Sequence, residues 1–580
     1  MWLRKELKDN KAVRALNQNR DIPLSSLISE ALIISESFLQ KPRSILVVKQ
    51  NLYNAQRLYD RISTVLPESE CALFGADESL RVEAIASSPQ MTALKVETLS
   101  ALLKNPHQVV ITCPSALLRF LPHPEDFRDG CIHLKTGDEI DMKELQRRLQ
   151  AGGYQPTAHI DQPLCYASRG GIVDVFSINY PNPVRIEFFD TEIESIRFFD
   201  VATQKTIETI PEIEIVPASD VLFTERQIAE IREEAEKILA KENNSILSEN
   251  VESDLILMES GVFEKQMYPY MALLDSAAGI VDYMDRPQII WSDEQLIQEA
   301  VKTFNTETIS YVQEMVQEGK MLPKYALWHD IHRIAQNYKA VKEDLFADNI
   351  SGIEEVHLPS DTLEARLKMI DLSGRNVLVL PDKEMLRTVD ACVENRIPYT
   401  ILADDGEATE GISLYYGELM QGFSIPETNL HVYTASELFE IHRHSGRYEN
   451  KFRSAEIIHS YNELEPGDFI VHAQYGVGQY VGIENRTINQ VRRDFLKIVY
   501  RGNAELLVPL EQFRLVRKFV SREGVVPRLN KLGSGEWEKT RKKLQENVTD
   551  IADRLLALYA TREQHIGYAR SEERRVGKEC

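Results

Sequence analysis

The feature that most constrains this chain is a pair of compact apolar runs with polar ends, Ser44-Ile45-Leu46-Val47-Val48 and Gln108-Val109-Val110-Ile111-Thr112. Runs of this form belong to strands buried on both faces, as in parallel sheets covered by helices. Asn54 to Leu66 between them reads as a helix, so strand, helix and strand follow one another and predict α/β layering. With 580 residues the chain has room for several domains, and one small module is excluded.

The layering is then interrupted. A helix at Met142 to Leu149 ends at Gly152-Gly153, which suits a C-terminal cap, and β-rich sequence begins. Gly171 to Phe176, Pro183 to Asp190 and Glu194 to Asp200 read as strands, with Tyr180-Pro181-Asn182-Pro183 as a break. They predict a small antiparallel sheet inserted into an α/β domain. Charged helices follow from Glu225 to Lys241, and α/β texture returns at Ile289-Ile290-Trp291. A second α/β unit is expected from Ile353, with a strand at Asn376 to Leu380 and a helix at Lys383 to Glu394. His442 to Arg453 reads as a polar, basic linker. Pro466 to Val520 reads as a small barrel of short strands, with Leu496, Ile498 and Tyr500 on one face of a strand and Phe495, Lys497 and Val499 on the other. Gly476, Gly478, Gly482 and Gly502 punctuate those strands where turns or bulges are needed. Trp537, Leu544, Val548, Ile551, Leu555 and Leu558 recur at helical spacing and predict a long closing helix.

Lys and Arg number 67 against 90 Asp and Glu, a net charge of −23, which argues against the bulk of the chain coating nucleic acid. The distribution is uneven. From Pro466 to Asn530 ten basic residues face six acidic ones, a local +4, so the remainder carries −27. No apolar run approaches the ~20 residues that span a bilayer, and the N-terminus lacks an apolar signal core, so a cytoplasmic location is expected. The six cysteines are scattered without a C-x-x-C pair, which suggests neither a disulfide framework nor a cysteine zinc site.

A nucleotide site needs G-x-x-x-x-G-K-[ST], because backbone N–H groups must converge on phosphates while the lysine reaches the terminal one. Arg20-Asp21-Ile22-Pro23-Leu24-Ser25-Ser26-Leu27 stands where such a loop would lie and has neither glycine nor lysine. Trp291-Ser292-Asp293-Glu294-Gln295 looks like a strand ending in an acidic pair, and is better read as a capping box with Ser292 at the N-cap and Gln295 at N3. Gly476-Val477-Gly478-Gln479-Tyr480-Val481-Gly482 misses the dinucleotide pattern and reads as barrel turns. His442, His444, His459 and His472 lack metal-ligand spacing. On residues alone this is a non-catalytic, multidomain binding protein.

Val471-His472-Ala473-Gln474-Tyr475-Gly476-Val477-Gly478-Gln479-Tyr480-Val481-Gly482-Ile483, with Arg493 to Tyr500 and Leu507 to Phe513, resembles the RNA-polymerase-interacting domain of the bacterial transcription-repair coupling factor (Mfd) family, which is related to CarD-type regulators. Asn530 to Trp537 resembles that family's continuation into its helical linker, and Ser168 to Phe176 with Pro183 to Asp190 resembles its excinuclease-B-like module. The resemblance implies a polymerase partner, contacted at its β subunit through a strand edge, with Ile483 as the apolar contact. It implies a second partner, the excinuclease subunit UvrA, with Arg169, Arg185 and Phe189 at the contact positions. Alternation sends Phe188 and Phe189 to opposite sides of their strand, so one is core and the other a contact.

The family's DNA translocase, with its phosphate loop, would follow the last helix. No catalytic activity and no cofactor are therefore expected in this segment; ATP and Mg, and most DNA contact, belong to the translocase, and no membrane partner is expected. The expected fold class is multidomain α/β and β: a degenerate P-loop-NTPase-like module with an inserted antiparallel β domain, a small α/β domain, an SH3/Tudor-like barrel and a C-terminal helix. The expected boundaries are 1–130 and 217–350 for the excinuclease-B-like module, 131–216 for its UvrA-binding insert, 351–440 for the small α/β domain, 441–464 for the linker, 465–530 for the barrel and 531–569 for the helix. Arg570 to Cys580 matches the translation of a short-read sequencing adapter and is expected to be non-native. Two rival readings are a CarD-type regulator without a repair role and an excinuclease-B-type NTPase.

Overall fold

The computed structural model describes residues 2–439 and 467–531, less 23–25, 78–79, 81–88, 202, 243, 275–276, 339, 343–349, 360–361, 473–474, 489–490, 503, 510–515 and 519–528. The chain divides into two compact units, Met1–Ala455 and Glu456–Cys580. The basic linker and the closing helix expected from the sequence lie outside the described residues.

The first unit is built on five parallel strands, in the order Ala340–Lys342, Gln288–Trp291, Ile45–Val48, Val109–Thr112 and Cys71–Phe74. Ile45 stands level with both Val109 and Gln288, so the two apolar runs are neighbours in register. Every residue of the Ile45–Val48 and Val109–Thr112 strands is buried, as a sheet covered on both faces requires. The helix between them spans Leu52–Ile62, shorter at its C-terminal end than the sequence suggested, and starts where the Asn51 side chain accepts from the Asn54 N–H. A further strand, Cys71–Phe74, and a helix, Pro89–Lys104, intervene before the second run.

The antiparallel insert is entered and left through one two-stranded neck, Ile132–Lys135 paired with Glu212–Ile215. Between them the Met142–Ala151 helix is capped by Asp141 and closes at Gly152. Gly153 has φ +88 and lies so close to Ser219 that an added Cβ would come within 2.6 Å of the serine Cβ, so only glycine fits. Strands Cys165–Arg169, Ile172–Val175, Val184–Phe189, Glu192–Phe199 and Thr206–Ile210 then form an antiparallel meander in sequence order.

The third sheet of this unit has the order Glu354–Glu355, Phe423–Ile425, Leu430–Thr434, Arg375–Leu380, Gly411–Tyr416 and Tyr399–Ile401. It is not detached from the first layer. Val377, Tyr415, Phe423 and Val432 belong to the same buried cluster as Trp2, Ile28, Ile45 and Val109. The N-terminal helix Trp2–Leu7 joins the two, with Trp2 edge-on to Tyr415 and Glu6 paired with Arg375.

The second unit is a five-stranded antiparallel sheet in the order Glu505–Pro509, Val491–Val499, Gly476–Ile488, Phe469–His472 and Val516–Lys518. Leu496, Ile498 and Tyr500, which alternation put on one face, are buried, and Phe495 from the other face is buried as well. The strands are not all short: Gly476–Ile488 and Val491–Val499 form one long hairpin. Its bend comes at Val481, where the register shifts between Tyr480 and Gly482, and Gly482 takes φ +152.

Where the insert returns to the first layer, Asp220 is buried between Lys95 (Nζ at 2.7 Å) and Arg119 (Nε at 2.6 Å). Burial alone would raise the carboxyl, but the two cations outweigh it and hold it well below the usual carboxylate range. Asp220→Ala leaves both cations buried without their acid and is expected to cost about 3–5 kcal/mol in urea unfolding. Because the native carboxyl is depressed, the wild-type contribution is full above the unfolded value of about 4 and is lost as pH falls through the native one. The difference between wild type and variant should therefore narrow in acid.

Candidate functional site

The outward face of the inserted sheet follows from its register. Asp174 stands opposite Arg185, Ile172 opposite Glu187, and Arg169 opposite Ile172, so Arg169, Asp174, Arg185 and Glu187 share one face. Val184, Ile186 and Phe188 turn inward from the same strand, and Phe189 is left 74% exposed while Phe188 is 9% exposed. Phe188 is thus the core residue and Phe189 the outward one. Phe189 is also the last residue before the tight turn at Asp190, which takes φ +58, so its ring stands at a hairpin tip.

The two arginines behave differently. Arg185 donates from Nε to Asp174 Oδ1 at 2.7 Å and from Nη2 to Oδ2 at 2.8 Å, and its guanidinium carbon lies 4.5 Å from the centre of the Phe199 ring. Its Nη2 also reaches Gln204 Oε1 at 3.1 Å. The Asp174 hydrogen bonds hold its pKa above the usual value despite partial burial. Arg169 is more open, with its side chain 54% exposed and Nη2 3.8 Å from Asp174 Oδ2. One nearly buried carboxylate therefore fixes Arg185 by two hydrogen bonds and lies within ion-pair distance of Arg169. Sequence reasoning missed Asp174, although an acid inside the apolar run Gly171-Ile172-Val173-Asp174-Val175-Phe176 was the signal for a cross-strand cation. The hairpin that carries Arg169 turns through Gly170, at φ +58, and Gly171, where an added Cβ would meet the Phe188 carbonyl at 2.9 Å.

In the second unit Ile483 is 43% exposed and Val481 45%. Phe469–His472 pairs with Gly476 to Gln479, and Gly467 and Asp468 bond the Tyr480 backbone, so beyond Tyr480 the long strand has a neighbour on one side alone among the described residues. Ile483 lies on that overhang, which makes it a strand-edge residue although its strand is interior to the sheet order. Lys497 beneath the bulge pairs with Glu484 at 3.3 Å and Glu505 at 2.9 Å. His472 is buried against Tyr475, and burial pushes its imidazole down to about 4, so it sits neutral in the core.

The segments that tempted a catalytic reading have other employment. Asp293, not Ser292, is the N-cap of the Glu294–Gln317 helix, its carboxylate accepting from the Leu296 N–H at 3.0 Å. Ser292 is instead buried, its hydroxyl 3.2 Å from Glu30 Oε1. Glu30 in turn pairs with Lys49 at 2.7 Å. Gly476 opens its strand after the turn from His472, Gly478 stands in the ladder opposite Ile470 where an added Cβ would meet Ile498 at 2.6 Å, and Gly482 lies at the bulge. Among the described residues no group of His, Cys, Asp and Glu could hold a metal ion, and no helix is long and apolar enough to cross a membrane. His442, His444 and His459 lie outside the described residues.

Residues 132–221 match the UvrB interaction domain family, and residues 464–520 match the CarD-like/TRCF RID domain family. Over 565 residues the chain is 30% identical to the transcription-repair-coupling factor of Bacillus subtilis, an alignment covering 93% of this chain and 48% of that protein. The corresponding protein of Staphylococcus haemolyticus is 30% identical over 572 residues, covering 94% of this chain and 49% of its own. The chain thus spans about half the length of the curated relatives it matches.

Asp174→Ala removes both hydrogen bonds from a guanidinium whose side chain is only 16% exposed. The variant is expected to lose about 2 kcal/mol in denaturant unfolding, whereas Arg169→Ala, which is half exposed, should change stability by less than about 0.5 kcal/mol.

Proposed function

We propose, from the premise that the chain belongs to the transcription-repair-coupling factor family and corresponds to its N-terminal portion, that it is a docking platform with two recognition surfaces. The overhanging strand edge at Ile483 engages stalled RNA polymerase at its β subunit by strand addition. The outward face of the insert recruits UvrA, so that lesions which stop transcription are passed to nucleotide excision repair. In this reading the second unit is an SH3/Tudor-like, CarD-like barrel and the first layer a degenerate P-loop-NTPase-like module. ATP, Mg and the DNA translocase belong to the part of the relatives that this chain does not match, and the protein works in the cytoplasm. The expected domain boundaries stand as part of the same reading.

The observation that carries the proposal is a three-quarters-exposed phenylalanine at a hairpin tip on the same sheet face as two arginines, Arg185 held by the Asp174 carboxylate and Arg169 half exposed beside it. Aromatic and arginine side chains dominate interface energetics when their neighbours hold them in place. An exposed ring also gains most from being covered, since its apolar area is still in water before the partner arrives.

The test uses calorimetry with purified UvrA and pull-down with RNA polymerase. Phe189→Ala and Arg169→Glu should each weaken UvrA binding by about thirtyfold, or ~2 kcal/mol, with polymerase binding unchanged. Ile483→Arg should do the reverse. Arg185→Glu is the poorer test, because it sets two acids against each other at Asp174 and disturbs the sheet itself. UvrA affinity that ignores both Phe189→Ala and Arg169→Glu would sink the assignment of that face.

A further inference from the structure

The small α/β layer carries its own unpartnered surface. Tyr399–Ile401 is the last strand of its sheet and pairs on one side only among the described residues, parallel to Gly411–Tyr416. Leu402 N donates to Leu414 O, and alternation along a parallel ladder turns the N–H and C=O of Ile401 the other way, toward the open side. Ile401 is level with Leu414, and Tyr416 with Leu380. Leu380 and Leu414 face the core beneath the Asp382–Glu394 helix, so Ile401 and Tyr416 rise on the helix side of the sheet. They are 72% and 60% exposed.

The helix adds to the same patch. Arg387 lies over the Phe439 ring, which marks the flank turned toward the Ala435–Phe439 helix. Asp382, Leu386 and Val393 recur at helical spacing on the other flank, the one toward the open strand. The Asp382 carboxylate is near enough to the Tyr416 hydroxyl to push its pKa up, which agrees with that placement. Leu386 and Val393 are 68% and 64% exposed. Four large apolar side chains therefore border one open strand edge, an arrangement that marks interaction sites rather than ordinary surface.

The surrounding charge identifies the occupant. From Asp382 to Glu418 nine acidic residues stand against three basic ones; Glu384 is buried, Asp404 is bonded to Tyr415 and Glu407 pairs with Lys5, which leaves six acids to three bases around the face. A second copy of this chain, at a net −23, is disfavoured at such a face. We propose that this face docks an extended, basic segment of a partner protein, which adds as a strand beside Tyr399–Ile401 and lays alternate apolar side chains against Ile401, Tyr416 and Leu386 while its lysines or arginines meet the acidic rim. The backbone supplies the register and the charge supplies the choice of partner. This surface is separate from the two already assigned.

The experiment measures fluorescence anisotropy of a short labelled peptide of alternating valine and lysine, titrated with the full chain at low salt. Saturable binding is expected, weakening as salt rises. Ile401→Pro, which removes the open N–H, and the double variant Leu386→Ser with Val393→Ser should each weaken it by about tenfold or more. Phe189→Ala and Ile483→Arg should leave it unchanged, which separates this surface from the UvrA and polymerase faces. The proposal is overturned by no binding to the wild-type chain, or by equal binding of a valine and glutamate peptide. It is equally overturned by binding that survives both sets of substitutions, or by a concentration-dependent dimer that Ile401→Pro dissolves, since the face would then belong to a second copy.

Discussion

The ion triad of Lys95, Asp220 and Arg119 is the constraint on which the presentation of the inserted sheet depends. Three charges with side chains no more than 4% exposed are expensive to desolvate, and they persist only because the geometry leaves little of any of them unpaired. Arg119 also lies 4.1 Å from the centre of the Tyr268 ring, and the Tyr268 hydroxyl donates to the Leu327 carbonyl. Three separate stretches of chain thus meet at one carboxylate, and two more join them through the Tyr268 ring. Apolar packing alone would tolerate some sliding of the neck strands over the helical layer. A buried pair with bonds of 2.6 and 2.7 Å does not, so the outward face of the insert is held at one angle to the layer beneath it.

The same device recurs in miniature on the face itself. Arg185 is paired with Asp174 and laid on Phe199, as Arg119 is paired with Asp220 and laid on Tyr268. In both cases the carboxylate takes the guanidinium Nε and a ring lies against the guanidinium, with a second bond from Nη2 at Arg185, which suits the weakly hydrated arginine better than it would lysine. The difference lies in depth. At the junction both cations are consumed internally, whereas at the face Asp174 holds Arg185 and leaves Arg169 half free. An interface gains from such a group because its ordering has been done before the partner arrives.

The sequence was most legible where one force acted alone. Apolar runs such as Ile45–Val48 and Val109–Thr112 had the form of covered strands, and Gly152-Gly153 suited the end of a helix, which closes there. Cys71–Phe74 escaped notice because Cys-Ala-Leu-Phe has no β-branched residue to mark it, and its place is set by the neighbouring Val109–Thr112 strand. The cap at Asp293 was assigned one residue early because Ser292 and Asp293 are both good N-caps, and the choice between them was made by Glu30, which is far away in sequence and takes the serine. The phenylalanine pair shows the same limit. Alternation required that Phe188 and Phe189 diverge, but which of them faced water depended on the packing of the insert against its own helix and neck. The long hairpin of the second unit was underestimated for a related reason: Gly482, read as a turn or a bulge, is a bulge, and a bulge lets one strand continue.

Charge pairing also separates the interior of the first layer from its surfaces. In open α/β sheets the carboxyl ends of the strands are where ligands are taken. Here Lys49 follows the central strand at that end and Ser292 follows its neighbour, and both are tied to Glu30. Glu30 stands in the first turns of the helix that begins at Leu27, where a carboxylate is favoured by the helix dipole in the way a bound anion would be. The polar groups at that edge are thus directed inward, to one another, and contribute to holding the Leu27–Gln40 helix on the sheet. The groups directed outward are of another kind: Phe189 and Arg169 on the insert, Ile483 and Val481 on the overhang of the long hairpin. The chain uses its buried charges to fix layers and leaves aromatic, aliphatic and arginine side chains at hairpin tips and strand edges, the positions where covering a side chain releases the most water without disturbing the fold.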